Sequence, residues 1–500
     1  MTPTPPSLPG QRRACVIGAG LGGLALAIRL QSAGVSTVLV EAREVAGGRA
    51  GSIERGGFHF DTGPAMLADR AALAELWQLA GQDMASDLAL LQVSPAWRFN
   101  WPDGTLFDYA PDSPELLHAV ARLSPGDVLG FEEFQRHCAG LWQDLRGPAA
   151  SDRFSLGAVA RLAAPVARHQ AWRTYYGLVR HFVKSEKLRE ALSFPALLQG
   201  ASPCTAPASL AAAHHGLREG MWYPHGGMGQ IAAALVKLFE RIGGTLRLHD
   251  PVLHVHTLGN QASEVETASG WRERFDAVAS NADVVHTYRD LLVGNPRGRE
   301  VSRKLTQKRF APAMFTVYFG VEGSWPGIPH STVLFGPRFK GLFDDVFTYG
   351  VLPQDQLIVL NHPSVTDPSV APTGKSTFSA SVPVAHQGKL PVDWETLGAL
   401  VESRVLAEVG RRLIPDLPDR IVTKFHTSPR DAGLEFNAWL GSAWSLEALF
   451  SQSGCLRARN RDAKLTNLYL AGAATAQGAG TSGVIASARA TAKLMLENLR

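Results

Sequence analysis

The feature that most constrains this chain lies within its first 41 residues: a short apolar run, a glycine-rich turn, an apolar helix-like stretch and a second β-rich run. Ala14-Cys15-Val16-Ile17 reads as a strand and is closed by Gly18-Ala19-Gly20-Leu21-Gly22-Gly23. Leu24 to Leu30 reads as a helix stopped at Gly34, and Thr37-Val38-Leu39-Val40 is a second strand closed by Glu41. A βαβ unit of this kind predicts an α/β fold with a parallel sheet. Gly18, Gly20 and Gly23 form G-x-G-x-x-G, with Gly22 between them, and Glu41 stands 18 residues after Gly23. Alone the pattern is weak, but here it follows a strand and opens a helix. The glycines permit a tight turn and let backbone approach a pyrophosphate. The helix N-terminus supplies partial positive charge, and Glu41 can accept from ribose hydroxyls.

FAD is favoured over NAD by Gly47-Gly48-Arg49, because a G-G-R shortly after the acidic ribose residue resembles the two-dinucleotide-binding pattern of flavoproteins. Arg49 can pair with pyrophosphate oxygens through its planar fork. Further segments fit the same cofactor. Phe58-His59-Phe60-Asp61-Thr62-Gly63-Pro64 alternates like a strand and ends in a turn suited to lie beside the isoalloxazine, with Pro64 at its end. Trp222 to Gly229 is a second glycine loop ahead of a helix, and Val278 to Asp283 ends a strand with Asn281 and Asp283 as polar caps. Asn467 to Ala473 reads as strand then glycine turn at Gly472, followed by Gly483 and a helix from about Val484.

At 500 residues, with 45% hydrophobic and 19% charged side chains, the chain has material for two to four domain-sized units and excludes disorder as its main state. The expected layout is a Rossmann-type FAD domain assembled from 1–85, 220–300 and 455–500, a helical cap with a membrane-contact region over 86–219, and a mixed-sheet substrate domain over 301–454. A net charge of +4 is too weak to imply nucleic acid. Cys15, Cys138, Cys204 and Cys455 stand too far apart in sequence to suggest a disulfide framework or zinc site. His214, His215, His225, His249, His254 and His256 lack acidic or Cys companions at ligand spacing, so no metal is expected. Leu465 to Ala488 is long and uncharged, but its glycines and polar residues suit a strand, a loop and a helix start rather than a membrane span. Met1 to Arg13 has no apolar core of a signal peptide, which makes a cytoplasmic location the default expectation.

From residue 14 to the end the chain resembles the bacterial carotenoid desaturases of the phytoene desaturase type, a branch of the amine-oxidase and Rab-escort-like flavoproteins. The resemblance is carried by Val16 to Leu30, Gly47-Gly48-Arg49, Trp222 to Gly229, Ala277 to Leu292, Phe335 to Arg338, Thr366 to Pro372, Gly441 to Ala443, Arg459 to Asp462 and Asn467 to Leu470. It implies bound FAD and stepwise removal of hydrogen from a colourless C40 polyene toward neurosporene or lycopene, with quinone or oxygen as electron acceptor. The residues agree with that chemistry, since a hydrocarbon offers no polar handle and no catalytic pair of carboxylates or nucleophile is evident. Catalytic residues are therefore not assigned. One departure stands out. The family's T-H-P-G-A-G-I-P-G-like loop reads Thr475-Ala476-Gln477-Gly478-Ala479-Gly480-Thr481-Ser482-Gly483, without its His and both Pro, which bears on substrate and step number.

A water-insoluble substrate must be collected from a bilayer, so a peripheral contact with the inner membrane is expected. Residues 151–190 hold eight Lys+Arg against three acids, and Trp172, Tyr175, Tyr176, Val179, Phe182 and Val183 fall at helical spacing, with Arg173, Arg180, Lys184 and Lys187 on another face. That pattern predicts an amphipathic membrane helix. Rival readings are a carotenoid oxygenase or later-acting desaturase, and a non-catalytic lipid-binding escort protein on the same scaffold.

Overall fold

The computed structural model describes residues 11–146 and 164–500. Asp152, Arg153 and Arg161 of the basic stretch lie outside them. The expected βαβ unit is present as strand Arg13–Ile17, helix Leu21–Ser32 and strand Ser36–Val40. These strands join a five-stranded parallel sheet whose order is Leu468–Leu470, Ala277–Ser280, Arg13–Ile17, Ser36–Val40, Thr245–Arg247. Its pieces come from three distant parts of the chain, as a discontinuous dinucleotide domain requires. Ile17 is in register with both Val40 and Ser280, and Ser280 with Leu470, so these strands end level at one edge.

Strand alternation explains why both faces are covered. Ala14, Val16 and Leu39 enter one core with the helices Leu21–Ser32, Gly229–Arg241 and Thr481–Leu499. Cys15, Ile17, Val38 and Val40 face the other way, onto the three-stranded antiparallel sheet through Val252, Val255 and Val265. Helix Leu21–Ser32 is buried along Leu21 to Leu30, which suits a sequence apolar all round rather than striped.

The second large element is a seven-stranded mixed sheet in the order Ile421–Thr427, Ala313–Glu322, Lys375–Val384, Ile358–Asn361, Ser331–Leu334, Trp97–Asn100, Leu106–Tyr109. Helix Trp394–Arg412 packs on this sheet. Two of its strands arise within the stretch expected to be a helical cap. Trp97-Arg98-Phe99-Asn100 alternates buried rings with a polar side chain, a period of two that sequence reading passed over between stronger helical signals. The hairpin Ser52–Arg55 and Phe58–Asp61 bridges the two units. Phe58 and Phe60 pack on Tyr318 and Phe425 of the large sheet, and a Cβ at Gly320 would stand only 2.6 Å from the Phe58 ring.

The membrane helix is corrected by this packing. The described helix is Tyr175–Phe182, capped by Thr174, whose hydroxyl accepts from Gly177 N at 3.1 Å. Tyr175, Tyr176, Val179 and Val183 are buried in the core, so the aromatic face is unavailable to lipid. Lys187 belongs to the next helix, Glu186–Ser193, and pairs with Asp103. Trp172, at 59% exposure, with Arg180 and Lys184, remains on the surface. No helix among the described residues is long and apolar enough to cross a membrane.

Candidate FAD site

The level strand ends form a crevice of the kind that binds nucleotides in open α/β sheets. Gly18 N donates to Val40 O at 2.7 Å, and Gly18 adopts φ +94°, a conformation that costs a side-chain-bearing residue. A Cβ at Gly23 would lie 1.9 Å from Gly18 O, so the turn closes only with glycine there. The second glycine pair lies against the first. Gly47 N donates to Ala19 O at 2.8 Å, and a Cβ at Gly48 would be 3.2 Å from the Gly20 Cα. Glu41 is buried at the end of its strand, accepting from Ala19 N at 2.7 Å and Arg43 N at 3.0 Å. Each carboxylate oxygen retains lone-pair capacity for a ribose hydroxyl.

Asn281 gathers the middle of the crevice. Its N donates to Ile17 O at 2.7 Å, and its Nδ2 to Ala471 O at 3.2 Å. Cβ atoms at Gly22 and Gly472 would lie 2.7 and 2.6 Å from that Nδ2, and the one at Gly22 would also meet the Val484 Cβ at 3.4 Å. The structure thus brings Gly18, Gly20, Gly22, Gly23, Glu41, Gly48, Asn281, Gly472 and Val484 together along one edge. Gly18, Gly20 and Gly48, all partly exposed, present backbone without a side chain where a flat, polyanionic cofactor needs close approach, so the residues fit FAD.

Arg49 turns away from the glycine turn. Its guanidinium donates to Ser442 O at 3.0 Å and to Ala443 O. Burial lowers its pKa, and the charge of Asp283 partly offsets that; burial also raises the Asp283 carboxyl, which caps Val285 N at 2.8 Å and His286 N at 3.3 Å. Pro64 follows Gly63, where a Cβ would be 2.0 Å from Arg49 O, so the Pro64 turn is pressed onto the Arg49 backbone.

The loop that departs from the family pattern is held without proline. Thr475 is fully buried, and its hydroxyl meets Gly472 O at 2.9 Å, Gln477 Oε1 at 3.0 Å and Ser487 Oγ at 2.8 Å. Helix Thr481–Leu499 starts three residues earlier than expected, after Gly480 at φ +87°. Gly483 packs on Gly478 O, which a Cβ would approach to 2.6 Å.

Beside the crevice lies a network that sequence reading did not assemble. Asp61 accepts from Tyr223 Oη and Met228 N, both at 2.7 Å, while Asp367 accepts from Gly226 N at 2.6 Å and Ser369 Oγ at 2.7 Å. His59 Nε2 stands 3.6 Å from Asp61 Oδ1, and the carboxylate raises the imidazole pKa against the opposing effect of burial. His330, across the Tyr223 ring, is pushed down to about 4 by burial. Asp61 and His330 also line a narrow cavity with Gly63, Ala65, Asn361 and Phe378. The signal was available, since Phe58 to Pro64, Trp222 to Gly229 and Thr366 to Pro372 were each conspicuous, but no spacing rule joins them. Arg457 was also missed. Among the described residues no group of His, Cys, Asp and Glu is arranged to hold a metal.

The class defined by this crevice and its discontinuous sheet is a flavin-dependent oxidoreductase. A profile of flavin containing amine oxidoreductases matches residues 21–496. An oxidoreductase from Methanosarcina mazei superposes with a TM-score of 0.65 at 16% identity, covering 96% of this chain and 100% of that one, which shows a shared fold. A lycopene-forming phytoene desaturase from Paracoccus sp. is 41% identical over 98% of both chains. A neurosporene-forming phytoene desaturase from Cereibacter sphaeroides is 36% identical over 96% of this chain and 94% of that protein. The chain belongs to the phytoene desaturase family of the flavin containing amine oxidoreductases, and it is an FAD-dependent enzyme.

Proposed function

We propose that this protein desaturates phytoene or a close carotene intermediate toward neurosporene or lycopene, in carotenoid biosynthesis. The observation that carries this is the match over nearly the whole of both chains to desaturases of that substrate. When bound, FAD supplies the acceptor for a hydride from an allylic carbon. The chain's own part is alignment. The glycine turn and Glu41 seat the dinucleotide end, and Asn281, Gly472, Gly483 and Val484 shape the edge beyond it. Arg49 ties the crevice to the 442–443 segment with the charge of Asp283 near it, and the Pro64 turn is buttressed from below by Arg49. Asp61 and Asp367 lock the Trp222 to Gly229 loop against the hairpin that carries Pro64. The second hydrogen leaves as a proton to a base or to water.

The substrate is collected from a bilayer, with the protein cytoplasmic and held peripherally at the inner membrane, and quinone or oxygen reoxidises the cofactor. With the aromatic face of Tyr175–Phe182 buried, the docking surface rests on Trp172, Arg180 and Lys184. Reversing Arg180 and Lys184 to Glu should weaken binding to anionic liposomes, and equal retention of variant and wild type would remove that surface. The activity is tested by incubating the FAD-loaded protein with phytoene in liposomes, anaerobically with a quinone and separately in air, and resolving products by chromatography with visible spectra. Coloured polyenes formed without oxygen are expected. A colourless reaction despite bound FAD would move the substrate to a later carotenoid.

A further inference from the structure

Arg457 is a buried cation without a counter-charge. It is 8% exposed, and its guanidinium donates only to backbone, from Nη2 to Ala473 O at 2.8 Å and Leu446 O at 3.1 Å. Its Nε has no partner, and no carboxylate among the described residues pairs with it. Arg29 pairs with Glu75 at 2.9 Å and Arg412 with Glu408 at 3.5 Å, while Arg49, like Arg457, rests on backbone carbonyls but has the charge of Asp283 near it. Removing an isolated charge from water costs several kcal/mol unless something anionic repays it. Carbonyl dipoles do so in part, and no carboxylate does the rest.

Its position narrows what the missing anion is. Ala473 follows Gly472, which flanks Asn281 in the crevice. Leu446 pairs with Phe310, at the entry to strand Ala313–Glu322 of the large sheet. Arg457 therefore spans the seam between the crevice and the substrate-side sheet. The pyrophosphate has its own provision, in the Gly18–Gly23 turn and the helix it opens. When bound with its pyrophosphate at that turn, FAD would extend its ring end along the crevice toward the seam. A neutral oxidised ring that accepts a hydride carries both electrons and one hydrogen, and so gains one negative charge, while the second substrate hydrogen leaves as a proton to a base or to water.

We propose that Arg457 is a positioning and electrostatic residue that serves the negative charge the FAD ring acquires on reduction. This rests on the assignment of FAD to the crevice but not on which carotene is oxidised. Preorganised charge aimed at where charge develops is among the stronger ways a protein favours a step.

The test is made on the holoenzyme without substrate, so its outcome is separate from that of the desaturation assay. Midpoint potentials of bound FAD are measured for wild type, Arg457→Lys and Arg457→Met, with dissociation constants for oxidised FAD. In wild type the potential should fall by about 30 mV per pH unit between about pH 6 and 8, the slope of two electrons with one proton, because the reduced ring stays anionic. Arg457→Met should bind reduced FAD at least tenfold more weakly relative to oxidised FAD, a fall of about 30 mV or more in potential. Arg457→Lys should keep most of the wild-type value. A wild-type slope of about 59 mV per pH unit overturns the proposal even if Arg457→Met fails to fold. So does an Arg457→Met protein that loses affinity for both redox states equally, which would place the arginine on the pyrophosphate or in the scaffold alone.

Discussion

The glycine edge and the Asp61 junction sit side by side and are built on opposite principles. Along the edge, Gly18, Gly22, Gly23 and Gly472 withhold side chains, and the polar groups nearby are left incompletely paired, as Arg457 shows. At the junction, the Asp61 and Asp367 carboxylates are surrounded by donors from the protein itself. The difference separates a surface that withholds side chains where a cofactor would sit from one whose carboxylates are already satisfied by the protein, with only His59 Nε2 and Trp222 Nε1 beside them left unpaired. Changes at the edge should therefore strike FAD binding first, and changes at the junction should strike stability and the seating of the 222–229 loop.

The largest effect is expected at Gly23→Val. Its Cβ would lie 1.9 Å from a backbone oxygen that cannot swing away. Overpacking of this kind costs about 1–3 kcal/mol or more, and the displaced turn should lose FAD by at least 100-fold, read by flavin fluorescence titration. Next is Asp61→Ala, which strips the acceptor from the Tyr223 hydroxyl and Met228 N–H. Hydrogen bonds to a charged group are worth about 1.5–3 kcal/mol each, so a loss of about 3 kcal/mol should appear in urea unfolding. FAD affinity should change by less than about threefold. If Asp61→Ala instead releases FAD as Gly23→Val does, the two regions are one unit and the contrast fails.

Legibility in the sequence followed the same divide. Gly18 to Glu41 announces itself because strand, turn, helix and cofactor contact are all local, and the spacing alone carries the geometry. The crevice beyond it was legible in pieces: Asn281, Gly472 and Val484 were each marked, while their meeting around one amide depends on strand order. The pair Trp97–Asn100 and Leu106–Tyr109 was missed because four-residue strands give little periodicity and their partner, Ser331–Leu334, is more than 200 residues away. The Tyr175–Phe182 helix was misjudged for a related reason. An aromatic stripe facing lipid and one facing a core have the same sequence, and only the neighbours distinguish them. Arg457 was invisible because burial without a counter-charge is a property of place.

Two histidines of the junction give a medium-sized pH test with opposite signs. His330 is buried neutral with its pKa pushed down to about 4, so below the unfolded value of about 6.5 the unfolded chain binds the extra proton. Its contribution is present above pH 6.5 and is lost as pH falls toward 4, on the order of 2–3 kcal/mol. His214, His362 and His386 are pushed down similarly and add to the acid loss. His59 is raised by Asp61, so its contribution is present below about pH 6.5 and disappears as pH rises through the raised value. Melting temperatures from pH 4.5 to 8.5 should show a steep acid limb that His330→Asn makes shallower. On the alkaline side a gentler decline should vanish in His59→Asn. A His330→Asn protein with an unchanged acid limb would show that the imidazole is already charged when folded.

The smallest effect belongs to Thr475→Val, at the place where the edge comes nearest to being built like the junction. The Thr475 hydroxyl joins Gly472 O, Gln477 and Ser487 in a loop that lacks proline, and Ser487 Oγ in turn accepts from Gly472 N at 2.9 Å. Valine keeps the shape and removes the hydroxyl, so about 1 kcal/mol of stability should be lost. Because the same bonds hold the backbone at Gly472, FAD affinity should fall with it by a few-fold, unlike Asp61→Ala, where stability falls and affinity holds. A Thr475→Val protein that loses stability but binds FAD as wild type would show that the loop is scaffold, and that the cofactor-dependent edge ends at Gly472.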